Sequence, residues 1–344
     1  MGIEGASLFI GVDLGGTKIA SALVDADMRM IDRVRVATRP EEGPSAVIGR
    51  MLDTVQDLTL RNGCGVGEVR ALGIGCPGPL DPKTGIVLDA PNLMWKDVSL
   101  AAPMAEATGR PVYLENDANV AALAENRLGA GRGARNMMYI TVSTGIGSGL
   151  ILGSKLYVGA AGSAGELGHV TMVADGPLCG CGNRGCLESL ASGTAIARRA
   201  RETAVRPGGE GILKAACGDI NAIDASLVAS AAAAGDAAAA AILRDAFEYL
   251  GIAVANVVNL LNLDMVVIGG GVARVGDVLF DTVRRLVKLR SFACLARDVL
   301  IVPASLGADA GALGAACYAA ERLAREERDA GCDPSICHDL EGPE

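Results

Sequence analysis

The chain is poor in aromatic side chains. Four Phe, five Tyr and one Trp in 344 residues leave few rings for stacking on nucleic-acid bases. Basic charge is also in deficit: 31 Lys and Arg against 40 Asp and Glu give a net charge of −9. Nucleic acid needs a basic surface, and an anionic membrane repels an acidic one, so neither partner is expected. No long apolar run is present. The most apolar stretch, Leu250–Leu263, is short and carries Asn256, Asn259 and Asn262, which fits a buried helix better than a membrane span. The opening residues MGIEGASLFI lack a basic region ahead of an apolar core, so no export signal is read and a cytoplasmic location is expected. Ten cysteines in a reducing compartment imply free thiols and metal ligands rather than disulfides. Histidine is scarcer, at two.

One of those histidines and three of the cysteines fall in the stretch Glu166–Glu188. His169, Cys179, Cys181 and Cys186 lie within eighteen residues, interleaved with glycines and Pro177 that allow tight turns. One imidazole and three thiolates suit tetrahedral Zn²⁺, and four protein ligands leave no open position, so the metal is expected to be structural. Glu166 and Glu188 flank the cluster; a closed metal site would hold both rigidly, as a substrate pocket requires. The tail also carries Cys332, Cys337 and His338, three candidate ligands in a polar stretch after about Glu327 that reads as flexible.

Hydrophobic periodicity gives an α/β pattern. Strands are expected at Leu8–Val12, Ile19–Val24 and Met28–Ala37, then a helix at about Ser45–Arg61 and a strand at Val69–Ile74. A long Gly- and Pro-rich loop follows. Ser99 and Gly109 read as the cap residues of the next helix, before a strand at Pro111–Leu114 and a helix from Asp117. The second half repeats the order: strands at Met137–Val142, Gly149–Leu152 and near Lys155–Val158, helices at about Thr194–Arg206 and Asp236–Leu261, then Met265–Ile268, Val275–Leu289, Val299–Val302 and Asp309–Arg325. The alanine-rich Ala231–Ala241 reads as a helical surface segment. Two related α/β lobes with a cleft between them explain the duplication. A smaller lobe is expected over 1–116, with the final helix 309–326 packing back on it, and a larger lobe with the metal site over 117–308; 327–344 is the tail.

Two glycine loops occupy equivalent places in the repeat. Asp13-Leu-Gly-Gly-Thr-Lys18 joins the first two strands of the first half, and Ser143-Thr-Gly-Ile-Gly-Ser-Gly149 those of the second. Glycines let backbone N–H groups approach phosphate closely. Asp13, at a strand end, is placed to hold Mg²⁺ directly or through water. Gly269, Gly270 and Gly271 either admit a flat base or ribose or form a tight connection. Gly73-Ile-Gly-Cys-Pro-Gly78 matches G-x-G-x-x-G, but Pro77 and Pro79 oppose a helix start, so a substrate loop is the better reading. Asn92, downstream, offers donor and acceptor to hydroxyls. Glu115-Asn116-Asp117 sits at a strand end, where a carboxylate either caps the helix or accepts a proton from an attacking hydroxyl.

Together DLGGTK, CPGPLD, APNLMW, LENDAN, STGIGSG, GELGH, CGCGNRGCLE and GGGV resemble the ROK family of sugar kinases and repressors, from about Ile10 to Ala320. The resemblance implies an actin-like ATPase fold of two ribonuclease-H-like lobes. It implies Asp117 as catalytic base, and Asn92, Asn116, Asp117, Glu166, His169 and Glu188 as the sugar site. It implies zinc on His169, Cys179, Cys181 and Cys186. ATP would be held by Asp13, Gly15, Gly16, Thr17 and Lys18 and by Thr144, Gly145 and Gly147, with Gly269–Gly271 near the nucleoside. Ser143 and Ser148 stand where the family often has glycine. The expected activity is ATP-dependent phosphorylation of the glucose 6-hydroxyl with ATP, Mg²⁺ and structural Zn²⁺, in a homo-oligomer, dimer or tetramer. Alternatives are an N-acetylglucosamine or N-acetylmannosamine kinase, polyphosphate as donor, or a sugar-responsive repressor. The last is disfavoured because Asp13 leaves no room ahead of it for a DNA-binding domain.

Overall fold

The structure, a computed structural model, describes residues 7–331. They fall into two compact units: the residues up to Ala124 with those from Ala308 onward, and Glu125–Gly307. The first contains β1 (Leu8–Leu14), β2 (Lys18–Val24), β3 (Met30–Ala37), α1 (Pro44–Arg61), β4 (Val69–Cys76), β5 (Leu80–Asp81), β6 (Ile86–Ala90), β7 (Trp95–Ser99), α2 (Ala101–Thr108), β8 (Val112–Asn116) and most of α3 (Asp117–Arg127). The second contains β9 (Met137–Val142), β10 (Ile146–Leu152), β11 (Lys155–Tyr157), α4 (Leu187–Ala191), α5 (Gly193–Ala204), α6 (Glu210–Ala215), α7 (Ala225–Ala233), α8 (Ala237–Leu261), β12 (Met265–Gly269), α9 (Asp277–Arg290), α10 (Ala293–Asp298) and β13 (Leu300–Pro303). The chain ends its described course in the first unit with α11 (Ala310–Gly331).

Both units carry a five-stranded mixed sheet. The orders are β3-β2-β1-β4-β8 and β11-β10-β9-β12-β13. In each, the first three strands pair antiparallel and the last three parallel. The repeat expected from element order is therefore present strand for strand. Burial follows position: β1 is apolar and almost wholly buried, whereas the edge strand β3 alternates, as one wet face requires. Helix α1 buries Val47, Met51, Val55 and Leu58, a stripe at helical spacing. Helix α11 lies on β1 and β4 at backbone distance. A Cβ on Gly11 would fall 1.8 Å from the Ala312 carbonyl oxygen, and one on Gly73 1.8 Å from that of Ala315. Only glycine allows that approach. Among the described residues no single helix is long and apolar enough to cross a membrane.

Several local expectations need correction. Ser99 does not cap α2: it ends β7 opposite Ile86, and Leu100 takes the cap position. The long loop before α2 holds a three-stranded sheet, β5-β6-β7. Its strands are two to five residues long, too short to show alternation; Met94 at φ 57° precedes β7 and Asp97 at φ 51° interrupts it. The alanine-rich run is not one surface helix. Gly235 at φ 94° turns the chain, and Asp236 accepts the Ala239 N–H at 2.8 Å to start α8. Ala231 and Ala239 are buried. A turn glycine and a cap outweigh alanine propensity here. Helix α11 continues to Gly331. The candidate ligands Cys332, Cys337 and His338 lie outside the described residues.

Candidate active site

In the first unit the parallel strands β1, β4 and β8 bring their C-terminal ends to one edge. Their register sets Asp13, Gly75 and Glu115 side by side. Gly75 makes room for α3: a Cβ there would meet Val120 Cγ2 at 2.6 Å, with Asp117 Cα at 3.7 Å. Asn116 caps the helix, its Oδ1 accepting the N–H groups of Ala118 at 2.9 Å and Asn119 at 3.2 Å. Glu115 points into the core, accepting from the Asn116 N–H and from Asn119 Nδ2, both at 2.9 Å. These bonds hold the first turn of α3 and leave Asp117 to face the strand ends. Capping thus falls mainly to Asn116, although Asp117 Oδ1 also accepts from the Ala118 N–H at 2.8 Å.

Two carboxylates are electrostatically coupled at this edge. Burial, reinforced by the charge of Asp117, pushes Asp13 up to about 6, against the pull of Lys18 and Arg35. Burial also raises Asp117, offset in part by the Ala118 N–H. The Cys76 thiol between them is held protonated by burial and by both acids. The β1–β2 turn is pinned by Gly15 N–H donating to the Lys18 carbonyl at 3.0 Å and by Thr38 Oγ1 donating to the Gly15 carbonyl at 2.6 Å. Thr17 and Lys18 are exposed. Gly16 rests on the backbone of Asn92, where a Cβ would lie 2.7 Å from the Asn92 carbonyl oxygen. Asn92 is itself exposed, in the short turn Pro91–Leu93.

In the second unit the structure brings His169, Cys179, Cys181 and Cys186 together, with one ligand atom from each within 4.8 Å of the others. Cys179 Sγ lies 3.7 Å from His169 Nδ1, and Cys181 Sγ 3.7 Å from Cys186 Sγ. A tetrahedral ion with metal–sulfur bonds of about 2.3 Å has sulfur–sulfur edges of about 3.8 Å, so the donor set fits one closed site. His169 Nδ1 faces the thiols, while its Nε2 turns toward Glu166 Oε2 at 4.0 Å. Glu188 links the cluster to the β9–β10 turn. Its Oε1 lies 3.8 Å from Cys179 Sγ, and its Oε2 accepts the Ile146 N–H at 2.9 Å. Gly145 permits this, because a Cβ would stand 2.3 Å from Glu188 Oε2.

That turn is shorter than expected. Strand β10 begins at Ile146, so Gly147 lies in the strand opposite Thr141 rather than in a loop. Ser143 and Thr144 are exposed, and their carbonyls accept the N–H groups of Gly193 at 2.8 Å and Thr194 at 3.3 Å, tying the turn to the start of α5. Gly269 ends β12. Gly270, at φ 89°, packs on the backbone of β9, where a Cβ would lie 2.3 Å from the Val142 carbonyl oxygen. Beside Gly271 opens a cavity of about 840 Å³, whose wall also includes Ser143, Thr144, Thr194, Arg201 and Asp224. The last three escaped sequence reasoning. They come from α5 and the start of α7, and no local pattern marks them.

A sequence model described as the ROK family matches residues 9–322. The chain is 39% identical over 315 residues to a glucokinase of Thermotoga maritima, covering 91% of this chain and 98% of that one. It is 32% identical to a xylose repressor of Caldicellulosiruptor bescii, over 82% of this chain and 70% of the repressor. Among solved structures it is similar to a ROK family glucokinase from Streptomyces griseus in complex with glucose and AMPPNP, at a TM-score of 0.77 and 35% identity, covering 92% of this chain and 100% of that one. The chain belongs to the ROK family.

Proposed function

We propose that the chain is an ATP-dependent hexose kinase that phosphorylates the 6-hydroxyl of glucose, on the actin-like duplicated fold of its family. The observation that carries this reading is Asp117: a half-buried carboxylate just past a strand end, with the helix start capped mainly by Asn116 and its proton affinity raised by desolvation. It stands in a chain 39% identical to a glucokinase. The hydroxyl O6 attacks the γ-phosphorus, its proton passes to Asp117, and the bond from the γ-phosphorus to the β,γ-bridging oxygen breaks to release ADP. A carboxylate with raised proton affinity serves better as that base. Phosphoryl transfer otherwise needs positioning and charge neutralisation. Asn92 and Asn116 in the first unit, and Glu166, His169 and Glu188 in the second, are the further groups assigned to sugar hydroxyls.

Asp13 is assigned to Mg²⁺; a buried acid that shares its field with Asp117 suits a divalent cation, which neutralises phosphate charge when bound. The turns Gly15–Lys18 and Thr144–Gly147 are assigned to the phosphates, and the cavity beside Gly271 to the nucleoside. His169, Cys179, Cys181 and Cys186 are assigned to structural Zn²⁺, which fixes Glu166 and Glu188. The assembly expected is a homo-oligomer. A coupled ADP-release assay over a panel of hexoses and N-acetylhexosamines, with ATP and polyphosphate as donors, tests the reading. Glucose with ATP should give the highest kcat/KM; no turnover with any sugar would contradict it. The repressor reading has a relative behind it but meets a net charge of −9, and binding to duplex DNA at physiological salt would revive it.

A further inference from the structure

Arg33 and Arg35 stand two residues apart on β3, so both side chains leave the same face of the strand. They reach one acid. Arg33 Nη1 donates to Asp309 Oδ2 at 2.5 Å, and Arg35 Nη2 donates to Asp309 Oδ1 at 2.6 Å. Each carboxylate oxygen thus holds one guanidinium. The side chains are 52%, 40% and 25% exposed for Arg33, Arg35 and Asp309. Exposed pairs of this kind add little to stability, so stability is a weak reason for two of them on one carboxylate. Position is a better one. Asp309 immediately precedes α11, and an acid there also suits the positive end of the helix dipole. Two residues on, Gly311 abuts Asp13: a Cβ would lie 2.5 Å from Asp13 Cγ and 2.6 and 2.8 Å from its two oxygens. The place of the Asp13 carboxylate is therefore set by where α11 begins.

We propose that Asp309 is a positioning residue: gripped by Arg33 and Arg35, it fixes the start of α11 and, through Gly311, orients Asp13 toward a divalent cation. This rests on the reading of Asp13 as the Mg²⁺ ligand. The charged groups that face Asp13 are Asp117 on α3, Lys18 on β2 and Arg35 on β3. Arg35 thus acts on Asp13 twice, through Asp309 and by its own charge, and Arg33 only through Asp309.

The test uses the full chain, with Mn²⁺ as a spin-visible substitute for Mg²⁺ and AMPPNP as the nucleotide, followed by electron paramagnetic resonance. Asp309→Asn should weaken Mn²⁺ binding about tenfold, at the low end for partners that orient a metal ligand. The Mg²⁺ concentration for half-maximal turnover should rise by the same factor, with kcat at saturating Mg²⁺ and KM for glucose unchanged. Asp309→Glu should recover part of the loss. The Arg33→Gln/Arg35→Gln double variant leaves the sequence of α11 intact and should give the same weakening, which keeps the test sound if Asp309→Asn folds poorly. Parent-like Mn²⁺ binding in both, alongside a loss in Asp13→Asn, overturns the proposal and spares the Asp13 assignment. Parent-like binding in Asp13→Asn overturns both.

Discussion

The two five-stranded sheets share an order and differ in how they brace the turn between their first antiparallel strands. The β1–β2 turn is braced by uncharged contacts: the Thr38 hydroxyl holds the Gly15 carbonyl, Gly16 rests on Asn92, and Gly311 of α11 abuts Asp13. The β9–β10 turn is braced by a side chain from a distant stretch, Glu188, which the thiol–imidazole cluster anchors. One backbone plan thus tolerates two kinds of support. The first depends on glycines where helix and strand touch, and the second on a thiol–imidazole cluster with the donor set of a closed metal site.

The difference predicts unequal responses. The largest follows from removing the metal. Structural zinc sites contribute roughly 10 kcal/mol or more to the fold around them. A strong chelator, or Cys186→Ser, should therefore release Glu188, abolish turnover and expose the second unit to proteolysis before the first. Limited proteolysis with mass spectrometry reads this directly; equal resistance of both units would remove the contrast. Next in size is Gly145→Ala. Its Cβ would displace Glu188 from the Ile146 N–H, costing about 2 kcal/mol for a bond to a charged acceptor. Gly15→Ala meets only the Lys18 carbonyl oxygen at 3.3 Å and should cost about 0.5 kcal/mol, within the usual range for surface changes. Urea midpoints of the two variants sharpen the comparison, and equal costs would break it.

The smallest effect concerns pH. Burial and the nearby Asp117 charge push the Asp13 carboxyl up to about 6 in the folded chain, above its ordinary 3.8. Between those values the native state binds more protons than the unfolded chain, so stability falls as pH rises through the window. Above it, ionised Asp13 is a constant cost of the fold. Asp13→Asn should melt higher than the parent at pH 8, with the gap closing as pH falls below about 6 and absent below the unfolded value. Calorimetry across that range checks the sign; a gap that widens in acid would refute it.

What the sequence made legible was local. The four candidate metal ligands lie within one short stretch, and strand alternation and helical stripes need only neighbours along the chain, so the cluster and the duplicated α/β pattern could be read. Bonds between distant residues could not. Glu188 meets Ile146 across 42 positions, and Arg33 meets Asp309 across 276. The cavity wall draws on Thr194 and Arg201 of α5 and on Asp224 at the start of α7. The strands β5–β7 were hidden because they are only two to five residues long, and Asp97 at positive φ interrupts β7. Asn116 and Asp117 looked alike as caps, and both accept the Ala118 N–H; only the Asn119 N–H, taken by Asn116, separates their roles.

The central assignment is that Asp117 takes the proton of the attacking hydroxyl. Single-turnover transfer from ATP to glucose by Asp117→Ala, with glucose binding measured by calorimetry on the same preparation, tests it most directly. The account predicts retained sugar binding and a rate at least about a hundredfold slower, as loss of a general base requires. Transfer at the parent rate would contradict it.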